Sequence, residues 1–281
     1  MAEVTLTAAL RSNLLSLQGT QKLLDSTQLR LATGQKVNSA LDNPSAFFAS
    51  QSLTNRANDL NRLLDGQGQA IQVLKAADEG IKQITSFLEQ AQAIAQEIKD
   101  QKSADAAAVV TDLAASFDEV LNQIDQLAND AGYRGTNLVN DNTATLDVTF
   151  NEGGTSSLAV TGSNLATQVG GGDLTVDDSA SYNAFAAASD ADTALLAIKA
   201  DLTTVRNTAA SFGTSLNIIQ TRQEFTQNLI NVLKEGSDKL TVADKNEEGA
   251  KLLSLQTTQQ LGITSLSLAS QSNQAVLRLF G

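Results

Sequence analysis

The chain has 281 residues, no cysteine, no histidine, no tryptophan and one proline, with a formal charge of −12. Lacking Cys and His, it offers no disulfide, no thiolate or imidazole metal ligand and no histidine general base. Its acidity argues against nucleic acid as a partner, because neutralising phosphates takes clustered Lys and Arg.

The start, MAEVTLTAALRSNLL, places Glu3 before the first base, Arg11, so no secretory signal is expected there. From Leu10 a seam alternates gaps of four and three through Leu14, Leu17, Gln21, Leu24, Gln28 and Leu31, the spacing of a helix packed against a partner helix. Gly34 is a plausible stop. The following QKVNSALDN segment gathers Asn38, Asp42 and Asn43 and reads as a connector, with a new helix opening at Pro44.

The strongest periodic run follows: Leu60, Leu63, Gln67, Ala70, Leu74, Ala77, Ile81, Ile84, Leu88, Ala91, Ala95 and Ile98, with only Gln67 polar. It predicts one long helix. The DGQGQA stretch inside it, Asp65 to Ala70, lacks the Lys-Ser/Thr of a phosphate loop and reads as helix. After Asp105 the spacing continues in a third helix through Val110, Leu113, Phe117, Val120, Ile124 and Leu127, until Gly132 and Gly135 mark a turn around Tyr133.

Between Asn137 and Ala191 the period changes to two. TLDVTF (Thr145 to Phe150) and SLAV (Ser157 to Val160) flank Gly153 and Gly154, a hairpin signal. The rest of this insert is small, polar and acidic and reads as a surface loop or a minimal outer subdomain. The acid pairs Asp177/Asp178 and Glu247/Glu248 have no further carboxylates at ligand spacing and read as solvated surface.

Helical periodicity resumes at Leu195, Ile198, Leu202, Val205, Ala209, Phe212, Leu216 and Ile219, and returns at Ile230 and Leu233 after polar Gln223 and Thr226. A break is expected over Glu235 to Lys245, then a terminal helix. That helix carries no charge between Leu252 and Leu277, yet about half of the stretch is Ser, Thr, Gln or Asn, so membrane insertion is not expected. Its Ile263, Leu266, Leu268, Val276, Leu277, Leu279 and Phe280 spread around most of the circumference, and a helix apolar all round must be enclosed. The fold class is mainly α: a long coiled-coil-like helical rod formed by the N- and C-terminal segments, with a small β-containing insert.

Four stretches then resemble the bacterial flagellins. RLATGQKVNSALDNPSAF (Arg30 to Phe47) is similar to the family's RLSSGxRINSAxDDxAG, and KAADEGIKQI (Lys75 to Ile84) to its TAEGAL-type helix. YRGTNLVN (Tyr133 to Asn140) is similar to the FNGxxLL turn, and SLSLASQSNQAVLRLFG (Ser265 to Gly281) to the C-terminal helix. Pro44 departs from the family, which commonly has Ala or Asp there.

The resemblance implies a non-enzymatic structural subunit of the extracellular flagellar filament, exported unfolded, with no cofactor. Implied partners are further copies of itself in a homo-polymer, the flagellar export apparatus, a secretion chaperone, and the cap and hook-associated proteins. A hook-filament junction protein is the alternative. Segments 1–40 and 241–281 would form the inner filament core, 41–140 and 191–240 a helical rod domain, and 141–190 a short variable surface insert.

Filament-core packing then falls to Leu6, Leu10, Leu14, Leu17, Leu24, Leu31, Ile263, Leu266, Leu268, Val276, Leu277, Leu279 and Phe280. Rod packing falls to Leu60, Leu63, Leu74, Ile81, Ile84, Leu88, Val110, Phe117, Ile124, Leu202, Val205, Phe212, Leu216 and Ile219. The family's innate-receptor stretch aligns with Leu88 to Gln96. It commonly carries arginines at the positions of Gln90 and Gln92, so weak receptor activation is expected.

Overall fold

The structure, a computed structural model, describes residues 8–103 and 107–280. The fold is mainly helical: α1 (Ala8–Thr33), α2 (Pro44–Ser103), α3 (Ala107–Asp130), α4 (Ala188–Thr241) and α5 (Lys245–Phe280), with one two-stranded sheet of β1 (Thr145–Thr149) and β2 (Ser157–Thr161). The chain divides into two compact units, 1–57 with 231–281, and 58–230.

In the first unit α1 runs antiparallel to α5, as cross-links from Gln21 to Gln259 and from Arg30 to Glu248 show. Gly34 ends α1 at φ +71°, donating its N–H to the Arg30 carbonyl at 2.8 Å. That left-handed position suits a residue without Cβ. The Asp42 carboxylate then accepts the N–H groups of Asn38 and Ser39, both at 2.9 Å, and these bonds hold its pKa below the usual carboxylate value. Asn43 caps α2 by accepting the Ala46 N–H at 3.1 Å, which leaves Pro44 at the first helical position, where its missing N–H has no role.

The returning connector is shorter than the sequence suggests. The break expected over Glu235 to Lys245 is confined to 242–244, and α4 continues to Thr241. The polar run is helix because its small residues face a neighbour: Ser237 is buried and its hydroxyl lies 3.1 Å from that of Ser50 and 3.0 Å from that of Thr54. Lys239 and Glu235 pair one turn apart on the outside. The two connectors close on each other, with Lys36 N–H donating to the Thr241 carbonyl at 2.7 Å and Ala243 N–H to that of Gly34 at 2.9 Å. Asp244 caps α5 through the Asn246 N–H at 2.8 Å.

The second unit holds a continuous apolar core from Ala70 to Ile219. α2 supplies Leu74, Ile81, Ile84, Leu88, Ala91, Ala95 and Ile98, all buried at the spacing read from sequence. On α3 the buried row is Val110, Ala114, Phe117, Leu121, Ile124 and Ala128, while Leu113, Val120 and Leu127 are only partly buried. The alternation was assigned one residue early at every second position, because both rows are apolar and only the packing partner distinguishes them. Gly80 faces α3 so closely that a Cβ would lie 2.6 Å from that of Ala131.

The hairpin forms as expected, in antiparallel register with Leu146 opposite Val160 and Val148 opposite Leu158. Its inward face buries Val148 and Val160, and the Arg222 guanidinium sits 5.3 Å above the Phe150 ring. The remainder of the insert is not a detached surface loop. Leu165, Ala166, Leu174, Val176 and Phe185 are buried in the same core. Three helix carboxylates hold this ribbon down, each accepting a backbone N–H and a hydroxyl. Asp125 holds Thr167 at 2.7 and 3.0 Å, Asp118 holds Ser179 at 2.7 and 2.6 Å, and Asp201 holds Thr175 at 2.8 and 2.9 Å with the Val176 N–H at 2.8 Å.

Candidate assembly surface

The packing of α1 on α5 decides which side chains of the first unit remain available. Along α1 the least exposed positions are Leu10, Asn13, Leu17, Thr20, Leu24, Thr27 and Leu31. Along α5 they are Glu248, Leu252, Leu255, Gln259, Gly262, Leu266 and Ala269. Both rows alternate gaps of three and four, so this is a two-helix seam.

The sequence reading placed Leu14, Gln21 and Gln28 in the α1 seam, and the structure corrects it. All three are exposed, Leu14 at 40 %, and Asn13, Thr20 and Thr27 occupy the interior one residue earlier. The reason lies in α5, which approaches closely at Gly262: a Cβ there would meet Leu17 Cδ2 at 3.0 Å. Small side chains fit beside such an approach. Thr20, buried in the seam, also turns its hydroxyl back to the Ser16 carbonyl at 3.0 Å, so the hydroxyl keeps a partner there. Gln21 instead stays at the rim, accepting from Gln259 at 2.6 Å.

Glu248 was read as solvated surface, and this too is corrected. It is buried in the seam, 7 % exposed, and accepts from Arg30 Nη1 at 3.1 Å. Asp177 and Asp178 are used locally, accepting the N–H groups of Asp178 and Ser181 within one turn.

With the seam filled, large apolar side chains are left outside. On α1 these are Leu14, Leu15, Leu23 and Leu29; on α5 they are Leu253, Leu261, Ile263 and Leu268, the last 69 % exposed. At about 100° per residue, Leu253, Thr257, Leu261, Thr264 and Leu268 fall on one stripe, opposite the face that meets α1. The hydroxyls of Thr257 and Thr264 donate to the carbonyls of Leu253 and Gln260 at 2.9 and 2.8 Å, so covering this stripe strands no hydroxyl. α5 therefore carries two apolar faces, one occupied by α1 and one bare, without a charged residue from Leu252 to Leu277. Full burial of a leucine is worth roughly 1.5–3 kcal/mol, so a bare row of three is a strong drive toward a second helix.

Leu6 lies outside the described residues, as do the side chains of Val276, Leu277, Leu279 and Phe280. Of the residues assigned to rod packing, Leu63 and Leu216 are half-buried, and Leu60, Leu74, Ile81, Ile84, Leu88, Val110, Phe117, Ile124, Leu202, Val205, Phe212 and Ile219 are buried. Gln90 is exposed and Gln92 half-buried on α2. Asp65 to Ala70 is an uninterrupted part of the same helix. Among the described residues no cluster of His, Cys, Asp and Glu is arranged to hold a metal, and no helix is long and apolar enough to cross a membrane.

Comparison with known proteins gives this arrangement a family. Residues 5–144 match the bacterial flagellin N-terminal helical region and residues 195–280 the bacterial flagellin C-terminal helical region. Flagellin FljO of Caulobacter vibrioides is 33 % identical over 94 % of this chain and 93 % of its own length. A flagellin of Brucella melitensis is 28 % identical over 100 % of this chain and 99 % of its own. Among solved structures, the crystal structure of Bacillus cereus flagellin covers 56 % of this chain and 86 % of its own at 14 % identity and a TM-score of 0.48. The Caulobacter and Brucella relatives and the two matched helical regions favour the filament subunit over the hook-filament junction protein. With both helical regions present and relatives aligned over nearly its whole length, the chain belongs to the bacterial flagellins, the structural subunits of the flagellar filament.

Proposed function

We propose that the bare faces of the α1–α5 pair are the surfaces through which copies of this flagellin join, with segments 1–40 and 241–281 forming the inner core of the filament. Segments 41–140 and 191–240 form the rod outside that core, and 141–190, packed on the rod through its buried side chains, turns its other side to solvent. The observation that carries this reading is the second apolar stripe on α5, opposite its intramolecular seam and free of charge. Two helices cannot enclose each other's outer faces, whereas a ring of such pairs can. Because a surface on one copy meets a different surface on the next, the contact repeats without closing and generates a helical polymer.

The same reading places the protein outside the cell, delivered by the flagellar export apparatus with a secretion chaperone and assembled beneath the cap on the hook-associated proteins. Freedom from disulfides supports passage as an extended chain. Seeded polymerisation followed by electron microscopy tests the proposal. Intact protein is expected to grow long uniform filaments, and a chain lacking residues 1–35 and 245–281 is expected to grow none. Filaments from the truncated chain would remove the terminal pair from the mechanism.

A further inference from the structure

In the second unit, Arg134 stands at φ +50°, in the left-handed region that favours glycine and asparagine, and Gly135 beside it at +85°. The flagellin turn that this segment resembles carries asparagine at the position of Arg134. An arginine there is strained where asparagine is at ease.

The guanidinium reaches a groove of about 680 Å³ lined by Leu64, Asp65, Gly66, Gly68, Gln69, Gln72, Gln223 and Arg134 itself. A Cβ at Gly66 would meet no atom within 4 Å and one at Gly68 only the Gln223 amide at 3.8 Å, so this stretch of the groove is open. Nη1 donates to Gln69 Oε1 at 3.0 Å, and the Tyr133 hydroxyl approaches the same oxygen at 3.4 Å. Among the described residues Arg134 pairs with no carboxylate, although Asp65 lies in the same groove. The result is a planar cation, aimed by Gln69 and Tyr133, with donors left over for a fork-shaped acceptor.

We propose that this groove is an intersubunit site in which Arg134 takes a carboxylate side chain of a neighbouring copy. The inference rests on the filament-subunit reading above and adds one contact outside the terminal helices. Charge favours this occupant: each copy carries 31 acidic against 19 basic residues, so neighbouring copies present carboxylates and repel one another unless cations are placed at their contacts.

Arg134→Asn tests the site, since it relieves the backbone while removing the cation. The critical concentration for seeded polymerisation is expected to rise about threefold, the size of one partly exposed ion pair, and 0.5 M salt should close most of the gap. The melting temperature of the unassembled variant, read by circular dichroism, should be unchanged or higher. An unchanged or lower critical concentration overturns the site, as does a gap indifferent to salt. A lower monomer melting temperature makes Arg134 an internal tether to Gln69 and overturns it equally. Wild-type protein that grows no polymer under any seeding overturns the filament reading itself, a result distinct from a polymer that ignores Arg134.

Discussion

Asp201 shows how a single residue sets the position of a whole segment. It is 1 % exposed, and its two oxygens accept Thr175 N–H and hydroxyl on one side and Val176 N–H on the other. A buried carboxylate is stable only when donors converge on it, and here they come from the ribbon it anchors. Asp201→Asn turns an amide NH2 toward one of these N–H donors and leaves both unsatisfied, at a cost of about 2 kcal/mol. The monomer should melt roughly 4–8 °C lower, with faster amide exchange at Thr175 and Val176; an unaltered melt would mean the ribbon is held by its apolar contacts alone. None of this was legible in the sequence. Asp118, Asp125 and Asp201 look like solvated helix positions, and their partners lie 61, 42 and 25 or 26 residues away.

At the scale of elements, legibility followed the number of choices the chain had. α2 was read correctly because its seam is apolar at every turn but Gln67, and Gln67 itself is buried, its amide 3.4 Å from the Thr149 carbonyl. α1 was misread because alternate frames share Leu10, Leu17, Leu24 and Leu31, and the choice between them lies with the partner helix, which approaches Leu17 closely at Gly262. The connector between α1 and α2 was recognised from its Asn, Asp and Pro content, and the structure supplies the mechanism. Asp42 ties it by accepting Asn38 and Ser39 N–H bonds that lower its pKa. A carboxylate with a lowered folded-state pKa stabilises above its unfolded value, near 3.8, and loses that contribution as pH falls through the lower one. Protection of the Asn38 and Ser39 amides should therefore hold down to about pH 4 and fall below it, while Asp42→Ala, which removes the one oxygen that accepts both N–H groups, exchanges fast throughout. Equal rates in the two proteins would detach Asp42 from the connector's order.

At the scale of the molecule, acidity and apolarity are kept apart. The chain carries −12 overall, yet α5 presents a stripe with neither charge nor unsatisfied hydroxyl. If the stripe is the joining surface proposed above, repulsion between acidic copies sets the background and attraction is concentrated where one helix is laid on another. Replacing Leu253, Leu261 and Leu268 together by Gln isolates this attraction, because glutamine forms helix nearly as well as leucine and the seam toward α1 is untouched. The unassembled variant should keep its helical circular dichroism and melting temperature. Even if each leucine contributes only about 1 kcal/mol on burial, the critical concentration should rise on the order of a hundredfold, measured by sedimentation of seeded reactions. A variant that polymerises at the wild-type concentration would leave this stripe facing solvent in the filament, and the joining surface would have to be sought on the outer leucines of α1.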